Sequence, residues 1–320
     1  MDQSIIYLNG KFVPESEARV SVLDRGFTSG EGVYDVTRTF RHKPFKLREH
    51  CLRLYRSMRY TRIDCGFDVD EMERITLETF ERNRKFLGPD DDFSIWQVLT
   101  RGVVQSTIGN KAKPQTTVAI FCVPTDFSGF ARHYLEGAIL VTPSTRRIPP
   151  QCLESKAKIT NKVNHLVAAL EAKQVNPAAI PLMLDVDGNI AEANTANFFF
   201  VSGGKLHTPT DRNCLSGITR ETVFELAKQI GVPFAEGNYT PYDVYNADEA
   251  FLSGTSSTIS PVRSLDGVAV KAGVPGPITV ALINAFNRRV GIDIVDQALT
   301  HLDGRDKQQL LGTWSKLKAA

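Results

Sequence analysis

Residues 187–198 read DGNIAEANTANF and lead into the apolar run FFFV at 198–201. Asp187-Gly188 is typical of a hairpin turn, and the apolar run predicts a strand over 197–201. Glu192 lies among small residues just before this strand, so its carboxylate can be partly buried. A buried carboxylate requires a cationic partner. Taken alone, an exposed glutamate in a turn explains the same pattern.

Three lysines precede this stretch, at Lys156, Lys158 and Lys162, just before a predicted amphipathic helix. An enzyme that forms a Schiff base requires a lysine whose amine can lose its proton near neutral pH. Burial and neighbouring cations lower the pKa of such an amine. A solvated basic turn is the competing explanation for the segment on its own.

Two later turns have the composition of phosphate-binding loops. Gly217, Ile218 and Thr219 open a predicted helix, and the first N–H groups of a helix can bind phosphate. Thr255 and Ser256 lie in a hydroxyl-rich turn directly after a predicted strand. Many helices and turns have this composition without binding a ligand, so each signal is weak alone.

The composition excludes several classes of protein. The chain has 320 residues, 42% hydrophobic and 23% charged, with a net charge of +2. This near-neutral balance gives no reason to expect a nucleic-acid or membrane partner, and no apolar run approaches the ~20 residues of a membrane span. No signal-peptide pattern is seen, and the scattered cysteines and histidines predict reduced thiols, a cytoplasmic protein and no metal site. Gly30-Glu31-Gly32 lacks the third glycine and the strand-to-helix setting of a dinucleotide site.

The hydrophobic pattern predicts a mixed α/β (α+β) chain with two domains. We expect a small N-terminal α/β domain over 1–123, a linker over 124–133 and a larger strand-rich α/β domain over 134–320. Asn9-Gly10 predicts a type I′ hairpin, and Asp70 with Glu73 resembles a capping box at the start of a helix. Further strands are expected at 32–40, 95–100, 117–123, 138–142, 181–186 and 250–252. Further helices are expected from about 48 and at 163–173, 219–230 and 278–289, with a terminal helix or tail from about 302.

Together, in this order and spacing, these segments resemble the class IV, or fold type IV, enzymes that use pyridoxal 5'-phosphate (PLP). The group includes branched-chain and D-amino-acid aminotransferases, (R)-selective amine transaminases and aminodeoxychorismate lyases. The resemblance covers about residues 5–290. Besides the segments above, it is carried by EARVSVLDRGF at 17–27, GEGVYDV at 30–36, Glu49-His50 and Arg53-Leu54.

The resemblance implies a role for each candidate residue. Lys158, 34 residues before Glu192 and three before Asn161, would bind PLP covalently and move the substrate proton. Glu192 would keep the pyridine nitrogen protonated. The cofactor phosphate would be bound by Arg53, by the first helical turn and by the second turn, that is by Gly217, Ile218, Thr219, Thr255 and Ser256. The family also implies a homodimer.

The substrate is left open because the sequence departs from its relatives where they recognise substrate. Lys162 and Val163 stand where branched-chain members carry a tyrosine, and no Arg-x-His pair follows Thr100-Arg101-Gly102. The arginine of the branched-chain enzymes is absent near Trp96. Candidates to line the substrate pocket are Tyr34, Val36, Trp96, Gln97 and Arg147. We expect transamination between a 2-keto acid, such as pyruvate or 2-oxoglutarate, and an (R)-amine or a broad range of amino acids. A branched-chain aminotransferase, a lyase of the aminodeoxychorismate type and a non-catalytic PLP-binding protein are the alternatives.

Overall fold

The computed structural model describes residues 3–105, 111–304 and 306–319, and the chain divides into two compact units. The first unit comprises Met1–Thr125 and Ala157–Lys162, and the second comprises Asp126–Lys156 and Val163–Ala320. The sequence prediction placed everything after residue 134 in one domain. The structure differs at 157–162, because this segment forms backbone hydrogen bonds within the first unit.

The first unit is built on a six-stranded sheet with the order β2-β1-β6-β5-β3-β4. Its strands are β1 (Ile5–Leu8), β2 (Lys11–Pro14), β3 (Gly32–Phe40), β4 (Lys43–Pro44), β5 (Phe93–Gln105) and β6 (Lys111–Pro124). Its helices are α1 (Arg25–Ser29), α2 (Leu47–Thr61) and α3 (Val69–Asn83), with 3-10 turns at Glu15–Glu17 and Arg84–Phe86. All neighbouring strands in this sheet are antiparallel.

The local sequence explains the ends of these elements. Asn9 and Gly10 have φ angles of 49° and 91°, which is the conformation that a type I′ hairpin turn requires. Helix α3 begins after Asp68, whose carboxylate accepts a 2.9 Å hydrogen bond from the Glu71 backbone N–H. The predicted cap at Asp70 was therefore two residues late, and Asp70 lies in the first turn of the helix.

Helix α2 packs its apolar face on the sheet. Cys51, Leu54 and Met58 recur at helical spacing and are buried in one core with Ile95 and Leu99 of β5. This spacing is the reason that the sequence predicts the helix. This packing holds α2 against β3 and β5. It therefore positions the polar side chains that α2 directs toward the sheet, which include His50 and Arg53.

The segment 157–162 is held on the edge of β3. The Tyr34 backbone N–H donates to the Lys158 carbonyl at 3.0 Å, and the Thr160 N–H donates to the Gly32 carbonyl at 2.9 Å. A Cβ atom on Gly32 would lie 2.8 Å from the Thr160 hydroxyl oxygen, and one on Gly30 would lie 3.4 Å from the Asn161 amide nitrogen. The two glycines of the lone GxG motif therefore make room for the lysine segment.

The second unit contains a nine-stranded mixed sheet with the order β12-β11-β10-β13-β14-β7-β8-β9, where β15 pairs with β14. Its strands are β7 (Ala138–Val141), β8 (Ile180–Leu184), β9 (Ile190–Ala193), β10 (Asn197–Ser202), β11 (Lys205–Pro209), β12 (Phe234–Gly237), β13 (Glu249–Gly254), β14 (Thr258–Leu265) and β15 (Val268–Ala269). Its helices are α4 (His133–Glu136), α5 (Val163–Val175), α6 (Ile218–Gln229), α7 (Pro241–Tyr245), α8 (Pro277–Val290), α9 (Ile294–Thr300) and α10 (Asp306–Leu317).

Two predicted turns organise this sheet. Gly188 has a φ of 87° between the antiparallel strands β8 and β9. Gly203 and Gly204, with φ angles of 57° and 75°, connect β10 to β11. All three phenylalanines of β10 are buried, and Phe198 and Phe200 belong to one hydrophobic core of this unit. The hairpin formed by β8 and β9 directs Glu192 into that unit. Within the described residues, no helix has both the length and the apolar character of a membrane span.

Candidate active site

Lys158 is fixed by its backbone from two sides within the first unit. Its carbonyl accepts from Tyr34 of β3, and its N–H donates to the Ser57 hydroxyl oxygen of α2 at 3.0 Å. Its side-chain nitrogen lies 4.6 Å from the centre of the Tyr34 ring. Lys156, in contrast, forms a 3.2 Å ion pair with Asp211 in the second unit. Of these two lysines, the structure places Lys158 against the aromatic face predicted to bind substrate.

An aromatic stack extends from the Tyr34 ring across the sheet. Trp96 is nearly parallel to Tyr34, with ring centres 5.5 Å apart, and Phe121 is nearly parallel to Trp96 at 6.1 Å. Val36 is opposite Trp96 in the pairing of β3 with β5. Three of the predicted pocket residues, Tyr34, Val36 and Trp96, therefore share one face of the sheet, and Tyr34 and Trp96 are only half buried.

Gln97 lies on the opposite face of this sheet. Successive residues of a strand point to opposite faces, and Gln97 is paired with Asp35 rather than with Val36. Its amide is buried beneath the helices and donates to the Thr76 hydroxyl of α3 at 2.9 Å. The prediction that Gln97 lines the pocket with Trp96 therefore disagrees with the register of the strands.

A buried charge cluster surrounds Arg53 on the helix-covered face. Asp35 is fully buried and accepts from Arg53 Nε at 2.9 Å and Nη2 at 2.7 Å. His50 Nδ1 lies 2.7 Å from the same carboxylate. Burial alone would raise the pKa of Asp35, but the charge of Arg53 and the hydrogen bond with His50 hold this pKa well below its ordinary value. Burial lowers the pKa of His50, against the influence of Asp35.

Glu192 is the centre of a second buried cluster, which lies in the second unit. Its carboxylate accepts from Arg147 Nε at 2.8 Å and from the Leu215 backbone N–H at 2.9 Å, and His165 Nε2 lies at 3.8 Å. Burial alone would raise the pKa of Glu192. The nearby His165 ring and the charge of Arg147 instead lower it to about 2. Glu192 is therefore negatively charged at neutral pH although it is only 5% exposed.

The cationic partner that sequence reasoning required for Glu192 is Arg147. The sequence placed Arg147 among the pocket residues, whereas the structure pairs its guanidinium with Glu192 and buries it. His165 was not predicted. It is one of six dispersed histidines, and no local pattern marks it, because it reaches Glu192 only through the packing of α5.

The two predicted phosphate turns lie near Glu192 in the second unit. Gly217 is the N-terminal cap of α6, and a Cβ on it would lie 2.1 Å from the Asn197 side-chain oxygen. Asn197 donates to the Leu215 carbonyl at 2.8 Å and is opposite Ser253 in the pairing of β10 with β13. Asn197 thus connects the start of α6 to the strand that enters the second turn.

Thr255 and Ser256 lie in the turn between β13 and β14. The Tyr134 hydroxyl donates to the Ser257 carbonyl at 2.8 Å and fixes the end of this turn. At its beginning, a Cβ on Gly254 would lie 3.4 Å from the Thr195 carbonyl. The sheet therefore brings Glu192, the start of α6 and this turn together, although they are far apart in sequence.

The chemistry of these groups fits pyridoxal phosphate. The first unit offers the amine of Lys158 and the buried guanidinium of Arg53. The second unit offers an ionised buried carboxylate and a helix N-terminus, whose first N–H groups have no acceptor within the helix. In addition, the Ser253 hydroxyl is buried beside the second turn and has no hydrogen-bond partner among the described residues. In the sequence, no Arg-x-His pair follows Thr100-Arg101-Gly102. Part of the segment that follows, residues 106–108, lies outside the residues that the structure describes.

Comparison with known proteins identifies the family. A family profile described as amino-transferase class IV matches residues 32–265. A putative branched-chain-amino-acid aminotransferase of Methanocaldococcus jannaschii is 35% identical over 298 residues, which are 91% of this chain and 99% of the relative. A D-alanine aminotransferase of Staphylococcus aureus (strain COL) is 30% identical over 286 residues, covering 89% and 97%.

Solved structures give the same result. The branched-chain amino acid aminotransferase of Escherichia coli matches with a TM-score of 0.82 and 30% identity, covering 89% of this chain and 94% of that one. Another solved branched-chain enzyme, complexed with N-(5'-phosphopyridoxyl)-L-glutamate, matches with a TM-score of 0.79 and 28% identity, covering 91% and 95%. The chain belongs to the class IV aminotransferases. It is a transaminase of fold type IV that uses PLP, as the sequence resemblance implied.

Proposed function

We propose that this transaminase takes its amino group from donors with apolar substituents, including both (R)-amines and branched-chain amino acids, and passes it to a 2-keto acid. The observation that carries this proposal is the stack of Tyr34, Trp96 and Phe121 beside the Lys158 amine. A half-buried aromatic wall favours an apolar substituent, because contact removes apolar surface from water. A D-alanine donor is the second candidate, and it is favoured by the likeness to the D-alanine enzyme.

Lys158 would be the catalytic residue in this proposal. Bound PLP supplies an aldehyde that condenses with amines and a ring that accepts electrons from the substrate carbon. The Lys158 amine would remove the proton from that carbon and return one to the cofactor side. The hydrogen bonds that Lys158 makes through its backbone to Tyr34 and Ser57 support this role, because they fix the base of its side chain.

Glu192 would hold the proton on the pyridine nitrogen. A negative carboxylate stabilises a protonated ring nitrogen, and the contacts of Arg147 and His165 keep Glu192 negative at neutral pH. Arg147 would thus act through Glu192 rather than on the substrate. Arg147 and His165 both lie outside β9, the strand that carries Glu192, so their contacts with Glu192 form only in the folded unit.

The phosphate would be bound by Arg53, by Gly217, Ile218 and Thr219 at the start of α6, and by Thr255 and Ser256. The salt bridge from Asp35 orients the Arg53 guanidinium, whose planar fork suits phosphate oxygens. A side chain at position 217 would collide with Asn197, so glycine is required where α6 begins. Hydroxyl groups at the second turn would add further donors.

The assembly and location are also proposals. A homodimer is supported by the family resemblance. A cytoplasmic location is supported by the five cysteines, since the structure has all of them as free thiols: Cys51, Cys65, Cys122, Cys152 and Cys214. Size-exclusion chromatography with light scattering measures the first, and fractionation of the producing cells measures the second.

Borohydride reduction tests the assignment of Lys158. The purified holoenzyme should be yellow, and reduction followed by peptide mapping should find the phosphopyridoxyl group on Lys158. The variant Lys158→Ala should lose this label, whereas Lys156→Ala should keep it. A label on another lysine would overturn the assignment.

A half-reaction screen tests the donor. Bleaching of the visible band should occur with (R)-1-phenylethylamine and L-leucine more readily than with D-alanine or L-glutamate. Trp96→Ala should reduce bleaching by the apolar donors by about tenfold, which corresponds to the loss of about 1.4 kcal/mol of apolar contact. Phe86→Ala, at an exposed ring, is the matched control. Bleaching by D-alanine alone would favour the second candidate, and pyruvate release from aminodeoxychorismate without bleaching would favour a lyase.

A further inference from the structure

Lys162 places a second amine against the ring that Lys158 contacts. Its side-chain nitrogen lies 5.5 Å from the centre of the Tyr34 ring, whereas that of Lys158 lies 4.6 Å from it. The two nitrogens are therefore at most about 10 Å apart, the sum of these distances. Trp96 stacks along Tyr34, so the two amines share the ring surface that remains.

Other charged groups of the first unit also lie near the lysine segment. On β3 and α2 they are Asp35, Arg53 and His50, which contact one another. Glu31, between the glycines that contact residues 160 and 161, is paired with both Arg25 and Arg101. Asp35 and Arg53 carry opposite charges in a close pair, so their fields largely cancel at a distance. Burial lowers the pKa of His50, which favours its neutral form. Thr160 and Asn161, between the two lysines, are uncharged. Lys162 is a second cation over the ring that Lys158 contacts.

We propose that Lys162 is a positioning residue whose positive charge lowers the proton affinity of the Lys158 amine. A like charge disfavours the protonated form of a neighbouring lysine, and a neutral amine is the form that attacks an aldehyde. This inference rests on the proposed role of Lys158. It adds that the charge at position 162, rather than a hydrogen-bonding hydroxyl, prepares that amine for reaction.

The size of the effect follows from the separation. Two unit charges within about 10 Å, at an effective dielectric constant of about 20, change a proton affinity by about one pKa unit or more. The Lys158 amine should therefore titrate about one unit higher when the charge at 162 is removed, and about a tenfold smaller fraction of it would be neutral at pH 7. A shift of this size is measurable in the protein without cofactor.

Competitive labelling of the apoprotein tests this inference. The protein is acetylated with acetic anhydride over a range of pH, and the labelling of Lys158 is followed by fragment-ion mass spectrometry. Lys162→Met should raise the midpoint of Lys158 labelling by about one pH unit. Lys162→Arg keeps the charge and should keep the midpoint. Lys156→Met, which removes a lysine paired with Asp211, is the control and should also keep it.

The outcomes separate this inference from the proposed function. An unchanged midpoint in Lys162→Met, or equal shifts in Lys162→Met and Lys162→Arg, would overturn it. A second readout is the pH titration of the visible band in the holoenzymes, which should shift for Met and not for Arg. If borohydride attaches the cofactor to another lysine, the proposed function fails, and the labelling midpoint still decides the influence of Lys162 on Lys158.

Discussion

Removal of the Asp35 carboxylate should destabilise the first unit through Arg53. Asp35→Asn keeps the size of the side chain but leaves the buried Arg53 guanidinium without its counter-ion. Asp35 is fully buried and Arg53 is 3% exposed, so water cannot replace the lost charge. Removing one partner of a buried ion pair costs about 3–5 kcal/mol, since the remaining charge stays desolvated. We expect a loss of this size in the free energy of unfolding.

A double-mutant cycle separates the ion pair from other effects. The proteins are wild type, Asp35→Asn, Arg53→Met and the double variant, and the measurement is urea unfolding of the apoprotein at pH 7, followed by circular dichroism. The double variant should be more stable than Asp35→Asn, because the uncompensated charge is absent. Glu71→Gln, at an exposed salt bridge with Arg74 on α3, should leave the urea midpoint unchanged.

The pH dependence of the wild type gives an independent measure. The folded-state pKa of Asp35 is well below the unfolded value, so its contribution is present above the unfolded pKa of about 3.9 and is lost as pH falls toward the folded value. Asp35→Asn should remove this acid-dependent loss. The reasoning would be refuted if the two substitutions changed the free energy of unfolding additively. It would also be refuted if Asp35→Asn lowered that free energy by less than about 1 kcal/mol, because an uncompensated buried charge destabilises a protein by more than this.

Three further predictions concern the second unit. Arg147→Met should raise the pKa of Glu192 from about 2. The stability contributed by this carboxylate is fully present above its unfolded pKa and is lost as pH falls through the folded pKa, so the variant should lose it at a higher pH. Acid unfolding followed by circular dichroism should therefore begin at a higher pH, and an unchanged acid limb would contradict the pairing. Gly217→Ala should weaken PLP binding in a fluorescence titration, because its Cβ would lie 2.1 Å from the Asn197 oxygen. The control is Gly312→Ala in α10, where a Cβ meets open space. This variant should bind PLP normally and gain up to about 1 kcal/mol in stability. Trp314→Phe should lower the thermal midpoint by removing an N–H that donates to both Asp293 oxygens at 3.0 Å, a loss of about 1–3 kcal/mol; a midpoint equal to wild type would show that this bond is unimportant.

The sequence predicted the long elements well because their patterns are local. The spacing of Cys51, Leu54 and Met58 predicted α2, and the span of β3 was predicted at 32–40, as observed. The short strands β4, β9, β11, β12 and β15 were missed, since two to five residues carry too little periodicity to indicate a strand. The eight-residue strand β14 was missed as well, because Pro261 within it argues against a strand. The family resemblance, rather than any single motif, supplied the fold type and the cofactor.

The site was predicted less completely, because its geometry depends on pairing and packing. Gln97 follows Trp96 in the chain, but only the register of β5 against β3 shows that its side chain points to the other face. Arg147 and Glu192 are 45 residues apart, and their pairing depends on how β9 packs in the second unit. A sequence pattern that predicts burial of a carboxylate indicates only that a cationic partner is required. It does not indicate which residue is that partner.

The assignment of 157–162 to the first unit has a consequence for how the protein is made. During synthesis, residues 126–156 of the second unit leave the ribosome before the Lys158 segment that completes the first unit. A nascent chain that ends at residue 125 contains the whole sheet of the first unit and α2 but lacks Lys158. If Lys158 has the proposed role, an incomplete product of translation that ends before residue 158 cannot bind the cofactor covalently, and this amine becomes available only after residues 126–156 of the second unit have been made.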